Sequence, residues 1–197
     1  MGFFVYFYII NLKQLINMEI TFFKGLRSTK PVANPTLQEV LMDIKSDKYK
    51  TQVEKCHIDI SKKDYLPCFT PTGIFNHRSI AGLEQYNGII CLDIDHLDDP
   101  VDAKKAAIKL NYVHAAFITP SGKGLKVIIK TNANVETYKT IEQKVADYFY
   151  TDSGLTRDNR CKDIARIQFV SHDPELYYNE ESYTLNLNEY IEGAEIG

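Results

Sequence analysis

The chain has 197 residues, of which 44% are hydrophobic and 25% are charged, and its formal net charge at pH 7 is −3. This composition is typical of a globular protein with a sizeable core, and the slight acidity argues against a generally basic DNA-coating protein, although a local basic groove is compatible with it. The four cysteines lack CxxC spacing, which argues against a zinc site or a disulfide framework and favours the cytoplasm.

The first 17 residues, MGFFVYFYIINLKQLIN, are apolar but carry no basic start and no cleavage site of a signal peptide. Their apolar run is shorter than the roughly 20 residues of a membrane-spanning helix, so we expect no membrane partner. Met18 then opens the first convincing strand, MEITFFKG. We therefore interpret residues 1–17 as an extension before the true start, with a genuine extra strand or helix as the alternative, and residues 18–197 as a single domain.

Residues 18–87 predict an accessory layer of helices and strands. Thr36 is placed to cap a helix over LQEVLMDIKS, and a second helix is expected over YKTQVEKC. LPCFTPTGIF follows as a short strand that ends in turn residues.

Residues 88–185 predict a core with a more regular order of elements. Apolar periodicity and breakers predict a strand at 88–95, a helix at 101–110, strands at 114–119 and 125–131, a helix at 135–150 and a strand at 165–170. This β-α-β-β-α-β order over residues 88–170 is that of the ferredoxin-like or RRM-like unit. The predicted fold class is α+β, with two helices on one face of the sheet.

Strand alternation predicts a cluster of charged side chains on the sheet face that the helices leave open. Asp93 and Asp95 share that face in the first strand, and Lys126 and Arg166 share it in later strands. Because like charges repel and desolvating each costs several kcal/mol, a bound cation is the expected compensation. Opposite charges that converge on one face are typical of a functional site.

The D-x-D pair suits Mg²⁺ or Mn²⁺, which prefer carboxylate oxygens. A third carboxylate is expected from the loop before the last strand, because that strand should lie beside the first one. The loop offers Asp158, with Asp163 as the alternative. The acidic run after residue 97 is interpreted instead as the cap of the following helix.

The segment TPSGKGLK joins the second and third core strands. Its backbone N–H groups, together with Lys123 and Lys126, could hold phosphate oxygens, although a plain glycine-rich hairpin is the alternative. The spacing is not that of a Walker A loop. An idealised sheet predicts this loop at the sheet end opposite Asp95, with Lys126 more than about 10 Å from the aspartate pair.

Three stretches, GIICLDIDHL, FITPSGKGLKVIIK and TRDNRCKDIARIQFVSHDP, together resemble the three motifs of the archaeo-eukaryotic primase, or primase-polymerase, superfamily. The likeness is to primase-like N-terminal domains of bacterial mobile-element proteins associated with VirE-type helicase-like regions. The first motif of the family is a D-x-D metal pair, which matches Asp93 and Asp95. The second is a Ser-Gly-x-Gly stretch that ends in a nucleotide-binding His, where this chain has Lys126. The third has an acidic and then a basic residue, mapped to Asp158 and Arg166.

The resemblance implies a DNA primase/polymerase-like nucleotidyl-transfer domain that acts in replication of a mobile element or phage. Mg²⁺ or Mn²⁺ would be held by Asp93, Asp95 and Asp158, which would form the catalytic centre. The implied nucleotide-binding residues are Ser121, Gly122, Lys123, Gly124, Lys126 and Arg166. Expected partners are nucleoside triphosphates, a single-stranded DNA template lying across the charged sheet face, and a helicase domain or protein. The alternative is a non-catalytic nucleic-acid-binding module, derived from a primase, that recruits a helicase.

Overall fold

The computed structural model describes residues 18–159 and 163–187. The predicted extension at residues 1–17 and Cys161 lie outside these ranges. The other three cysteines are buried thiols. Within the described ranges no helix has the length and apolar character needed to cross a membrane.

The α+β class is confirmed. The strands of the described residues are β1 (Thr21–Phe23), β2 (Cys68–Thr70), β3 (Gly73–Phe75), β4 (Leu83–Tyr86), β5 (Ile89–Ile94), β6 (Val113–Ile118), β7 (Leu125–Lys130), β8 (Gln168–Phe169) and β9 (Tyr177–Tyr178). The α-helices are α1 (Leu37–Lys45), α2 (Lys50–Ile58), α3 (Pro100–Ala107) and α4 (Tyr138–Ser153). A 3₁₀ helix, Ile60–Tyr65, follows α2 and leads into β2.

Two local signals in the sequence are confirmed. Thr36 caps α1 in a capping box, in which its hydroxyl accepts from the Glu39 N–H and the Glu39 side chain accepts from the Thr36 N–H. Asp99 caps α3 and accepts from the N–H groups of Val101 and Asp102 at 3.0 and 2.9 Å. The acidic run after residue 97 therefore contributes to a helix start, as expected.

The central sheet has the strand order β5-β7-β6-β9, and each neighbouring pair is antiparallel. Helices α3 and α4 cover one face of this sheet. Strand alternation predicts that six residues of β5 and β7 face the helices, and all six are buried in the core on that face: Ile90, Leu92, Ile94, Leu125, Val127 and Ile129. Strand alternation thus correctly sorted both strands.

The opposite face of the sheet is covered by elements from residues 18–87, among them β1, β2, α1 and α2, which we call the N-terminal layer. Ile89 and Cys91 of β5, Phe117 of β6 and Ile128 of β7 share a second core with the helices α1 and α2. The expectation that a template strand lies across this face is therefore wrong, because apolar side chains fill it. Charged side chains lie at the two ends of this face, with Asp93 and Lys126 at one end and Lys130 at the other.

The predicted fourth strand of the ferredoxin-like unit is not where we expected it. Residues 165–167 form no strand, and the short strand β8 pairs with β2 in the three-stranded sheet β1-β2-β8 of the N-terminal layer. Alternation predicts that Phe169 faces inward and Gln168 outward, which is wrong, since Gln168 is buried and Phe169 is half-buried. β9 instead extends the central sheet, beside β6. The outer edge of β5 is met by the chain around Asp158.

The buried His114 in β6 is expected to make the stability of the fold sensitive to acid. Its Nδ1 lies 2.8 Å from the Asn179 carbonyl, and burial, together with the nearby Lys130 ammonium, lowers the pKa of His114 to about 4. Between the unfolded pKa of about 6.5 and the folded value, the unfolded chain binds a proton that the folded chain does not. We therefore expect the contribution of His114 to stability to be complete above about pH 6.5 and to be lost as the pH falls toward 4, by about 3 kcal/mol in total.

Urea unfolding between pH 4 and 7 measures this loss. The variant His114→Asn keeps an N–H donor toward Asn179 but cannot titrate, so its pH dependence should be shallower than that of the wild type. Parallel curves for the two proteins would contradict the assignment to His114.

Candidate functional site

The site forms where β5 ends beside the start of β7. Asp93 and Lys126 are direct cross-strand partners, and the Lys126 ammonium forms a salt bridge with Oδ2 of Asp93. Both side chains are about nine-tenths buried. The charge of Asp93 is thus compensated by a lysine of the neighbouring strand, where the sequence alone had suggested a bound cation.

The expected separation of Lys126 from the aspartate pair is wrong. β5 and β6 run parallel because α3 carries the chain back to the start of the sheet, and β7 returns antiparallel to both. The end of β5 and the beginning of β7 therefore lie at the same end of the sheet. The register places Ile94 opposite Leu125, so the residues before Leu125 lie beside Asp95.

The loop at residues 119–124 lies tightly against the exposed Asp95. A Cβ on Gly124 would stand 2.9 Å from the Ile94 carbonyl oxygen and 3.1 Å from Oδ1 of Asp95, so the close approach requires glycine. Leu97 donates its N–H to the Lys123 carbonyl at 3.0 Å, which ties the two chain segments together. His96 adopts a left-handed conformation (φ 58°) that turns the chain after Asp95.

The backbone of this loop is largely engaged in its own hydrogen bonds. Gly122, with φ of 69°, donates its N–H to the Thr119 carbonyl at 2.9 Å, and the Lys123 N–H donates to the Ser121 hydroxyl. The amides of residues 122 and 123 are thus occupied. Lys123 of the loop is exposed, and Lys126 follows in β7. The ammonium groups of these two lysines are the cationic groups that this part of the chain offers to an anion.

Asp158 lies next to β5, by a different route from the one we expected. Its backbone N–H donates to the Asp93 carbonyl at 2.7 Å, although among the described residues no strand pairs with this edge of β5. Its side chain is half-buried. Asp158 thus lies beside β5, the strand that carries Asp93. Its role as a metal ligand stays a prediction.

A buried ion pair that sequence reasoning missed holds this segment in place. The Arg157 guanidinium lies 2.9 Å from Oε1 of Glu142 in α4, and it also donates to Gln143 and Asn159. Arg157 is 7% exposed and Glu142 is 2% exposed. An Arg between polar loop residues gives no sequence signal for burial. Glu142 does give one, because it lies on the apolar side of the predicted helix at 135–150, where a buried carboxylate requires a cationic partner.

A second buried ion pair lies near the end of β6, where the chain enters the 119–124 loop. Lys104 of α3 donates to both carboxylate oxygens of Asp173, at 2.9 and 2.7 Å. The same carboxylate accepts from the Ile118 N–H at 2.8 Å, and Ser171 donates to the Ile118 carbonyl. The end of β6, directly before residue 119, is thus fixed by side chains from outside the sheet.

Asp163 and Arg166 lie together in a turn. Asp163 accepts from the Ala165 N–H at 2.8 Å, and its carbonyl accepts from the Arg166 N–H. Both side chains are exposed. Arg166 is therefore not a strand residue on the face of Asp93, and its predicted phosphate contact lacks the geometric basis that alternation gave it.

The donor set tests whether a divalent ion fits. Across residues 18–159 and 163–187 no three His, Cys, Asp or Glu side chains form a ready-made metal group. Asp93 and Asp95 nevertheless offer two carboxylates of alternate strand positions at one sheet end. Mg²⁺ is commonly bound through one or two carboxylates together with substrate phosphates and water, so the residues fit an ion that arrives with a nucleotide.

Comparison with known proteins defines the class of fold. The AEP domain (PP-N190) of the primase-polymerase of cyanophage S-2L matches 93% of this chain and 94% of its own length, with a TM-score of 0.50 and 11% sequence identity. The fold is that of a primase-polymerase. The family model described as "BT4734-like, N-terminal domain" matches residues 61–178, well over half of the chain, and the chain belongs to this family. A search of curated proteins finds no match.

Proposed function

We propose that the protein is a nucleotidyl-transfer domain of primase-polymerase type that binds a nucleoside triphosphate and a divalent ion at the end of β5. The observation that carries the proposal is the placement of Asp93 and Asp95, Lys126 and the 119–124 loop at one edge of a primase-like sheet. Acidic groups suited to Mg²⁺ or Mn²⁺ and cationic groups suited to phosphate thus meet at one place.

The proposed reaction joins a 3′-hydroxyl oxygen to the α-phosphorus of the triphosphate and breaks the bond to pyrophosphate, which leaves, while the hydroxyl proton passes to water. Asp93 and Asp95 would hold the divalent ion, with Asp158 at the edge of the same strand. When bound, the ion supplies neutralisation of the phosphate charge and lowers the pKa of the attacking hydroxyl. Lys123 and Lys126 would orient the phosphates, a task that a fixed ammonium performs as a point charge.

Lys126 has a further part in this proposal, because it already neutralises Asp93. A triphosphate at the loop offers the Lys126 ammonium a second anionic partner. If Lys126 moves to the phosphates, Asp93 becomes available to the ion that accompanies them. Metal and nucleotide would then bind cooperatively, and each would raise the affinity for the other by the same factor.

Titration of Mn²⁺, followed by the electron paramagnetic resonance signal of the unbound ion, tests this coupling. We expect weak binding to the protein alone and at least about tenfold tighter binding with a non-hydrolysable triphosphate, after correction for Mn²⁺ held by the nucleotide in solution. Asp93→Asn/Asp95→Asn should abolish the gain. The matched control, Asp98→Asn/Asp102→Asn, removes two exposed carboxylates nearby and should behave as the wild type. Equal binding by the two double variants would overturn the proposal.

The second candidate is the non-catalytic module, and two observations favour it. The described residues contain no group of three metal ligands, and Asp93 is already paired with Lys126. Such a module should bind single-stranded DNA without any divalent ion and show no coupling in the titration above. The helicase partner and the link to a mobile element or phage stay predictions for either candidate.

A further inference from the structure

We propose that a basic groove in the N-terminal layer binds single-stranded DNA and leads it to the site at the end of β5. The groove encloses about 530 Å³ between the chain after β1 and the 3₁₀ helix Ile60–Tyr65. Its lining carries three cationic side chains, one carboxylate and one aromatic ring: Lys24, Arg27, Lys62, Asp64 and Tyr65. Only the role of the strand as a template rests on the proposed function.

The walls of the groove are fixed by backbone contacts. Leu26 donates its N–H to the Asp64 carbonyl, and the Arg78 guanidinium donates to the carbonyl of Leu26. A Cβ on Gly25 would lie 3.2 Å from the Asp64 carbonyl oxygen, so the two walls meet closely at that glycine. These contacts hold the two walls together, so the shape of the groove is fixed by the fold.

The cationic groups of the groove are available to a phosphate backbone. Lys24, Arg27 and Lys62 are exposed, and within the described part of the chain Lys24 and Arg27 have no ion-pair partner. Lys62 lies 3.3 Å from Asp59, but both side chains are about half exposed, and such surface pairs are weak. A strand that neutralises these cations would release counterions, which drives nucleic-acid binding.

The aromatic ring indicates a single strand and not a duplex. The Tyr65 side chain is 79% exposed at the edge of the groove. Unpaired bases stack on exposed aromatic rings beside cationic grooves, whereas bases in a duplex are already stacked on each other. The combination of cations with an accessible ring therefore fits single-stranded nucleic acid.

The groove is connected to the candidate site through His57 at the end of α2. A Cβ on Gly122 would lie 3.5 Å from Nε2 of His57, so the end of α2 borders the loop beside Asp95. The chain passes directly from His57 to the 3₁₀ helix that lines the groove. A strand in the groove would reach the 119–124 loop along this edge, while the sheet face itself is filled by the core.

Fluorescence anisotropy of the full chain with a labelled oligodeoxythymidine of about 20 nucleotides tests the groove, with EDTA present and no nucleotide. Lys24→Ala/Arg27→Ala/Lys62→Ala should bind at least about tenfold more weakly at low salt, and its affinity should fall less steeply with salt, by about 2 in the log–log slope. The matched control, Lys45→Ala/Lys109→Ala/Lys139→Ala, removes the same charge from exposed positions elsewhere and should bind nearly as the wild type.

Tyr65→Ala should weaken binding by about fivefold or more, whereas Tyr65→Phe keeps the ring and the affinity. The groove variants should bind Mn²⁺ and triphosphate as the wild type does, so failure of the groove and failure of the proposed function are distinguishable. Equal loss in the groove triple and the control triple would overturn the proposal. Equal affinity for a duplex of the same length would also overturn it.

Discussion

The variant Lys126→Met should lower the free energy of unfolding by about 3–5 kcal/mol, or the melting temperature by about 10 °C. Methionine nearly preserves the volume and the apolar stem of lysine, so the loss reports the charge. Asp93, which is 8% exposed, would keep its carboxylate but lose the ammonium that is paired with it. Breaking a buried pair from one side is costly because it leaves the other charge buried.

A double-mutant cycle separates this effect from packing. Lys126→Met/Asp93→Asn removes both charges and should recover much of the loss, since replacing both partners of a buried pair is often close to neutral. Millimolar Mn²⁺ should also stabilise Lys126→Met more than the wild type, because an ion bound to the folded state raises its stability. A single variant that melts as the wild type does would show that Lys126 does not compensate Asp93.

The variant Arg157→Met should destabilise the protein by a similar amount, about 3–5 kcal/mol in urea unfolding. It leaves Glu142, 2% exposed, without the guanidinium that lies 2.9 Å from its carboxylate. Arg157→Lys keeps the charge but loses the planar fork that also reaches Gln143 and Asn159, so an intermediate loss is expected.

Arg157 should also act as a positioning residue for Asp158. Because the Asp158 N–H donates to the Asp93 carbonyl, its hydrogen exchange reports whether the segment stays against β5. Arg157→Met/Glu142→Gln should regain stability yet exchange faster at Asp158 than the wild type. Exchange that is unchanged in this stable double variant would limit Arg157 to a role in stability.

Short-range rules correctly predicted most of what surrounds the site. Period-2 alternation sorted β5 and β7 between the two cores, and the caps at Thr36 and Asp99 followed from residue type and position. Alternation also placed Lys126 on the face of Asp93. These features depend on neighbours in sequence or on the geometry of a single strand, so they can be deduced from local pattern.

The errors concern contacts between distant segments. The pairing of β8 with β2 involves two residues on each strand, and so short a pair leaves no periodic signal. Residues 157 and 142 meet because a loop returns to α4, which no local rule specifies. The predicted separation of Lys126 from Asp93 is an error of another kind, because the sequence contained enough information to avoid it. The parallel crossover through α3 and the β6–β7 hairpin together require the loop to lie beside Asp95.

The most direct test of the central claim is anomalous diffraction from crystals soaked with Mn²⁺ and a non-hydrolysable nucleoside triphosphate. We predict an anomalous peak between the carboxylates of Asp93 and Asp95, with the Lys126 ammonium moved from Asp93 to the phosphates. A nucleotide bound without a peak at these carboxylates, with Lys126 still paired with Asp93, would contradict the account.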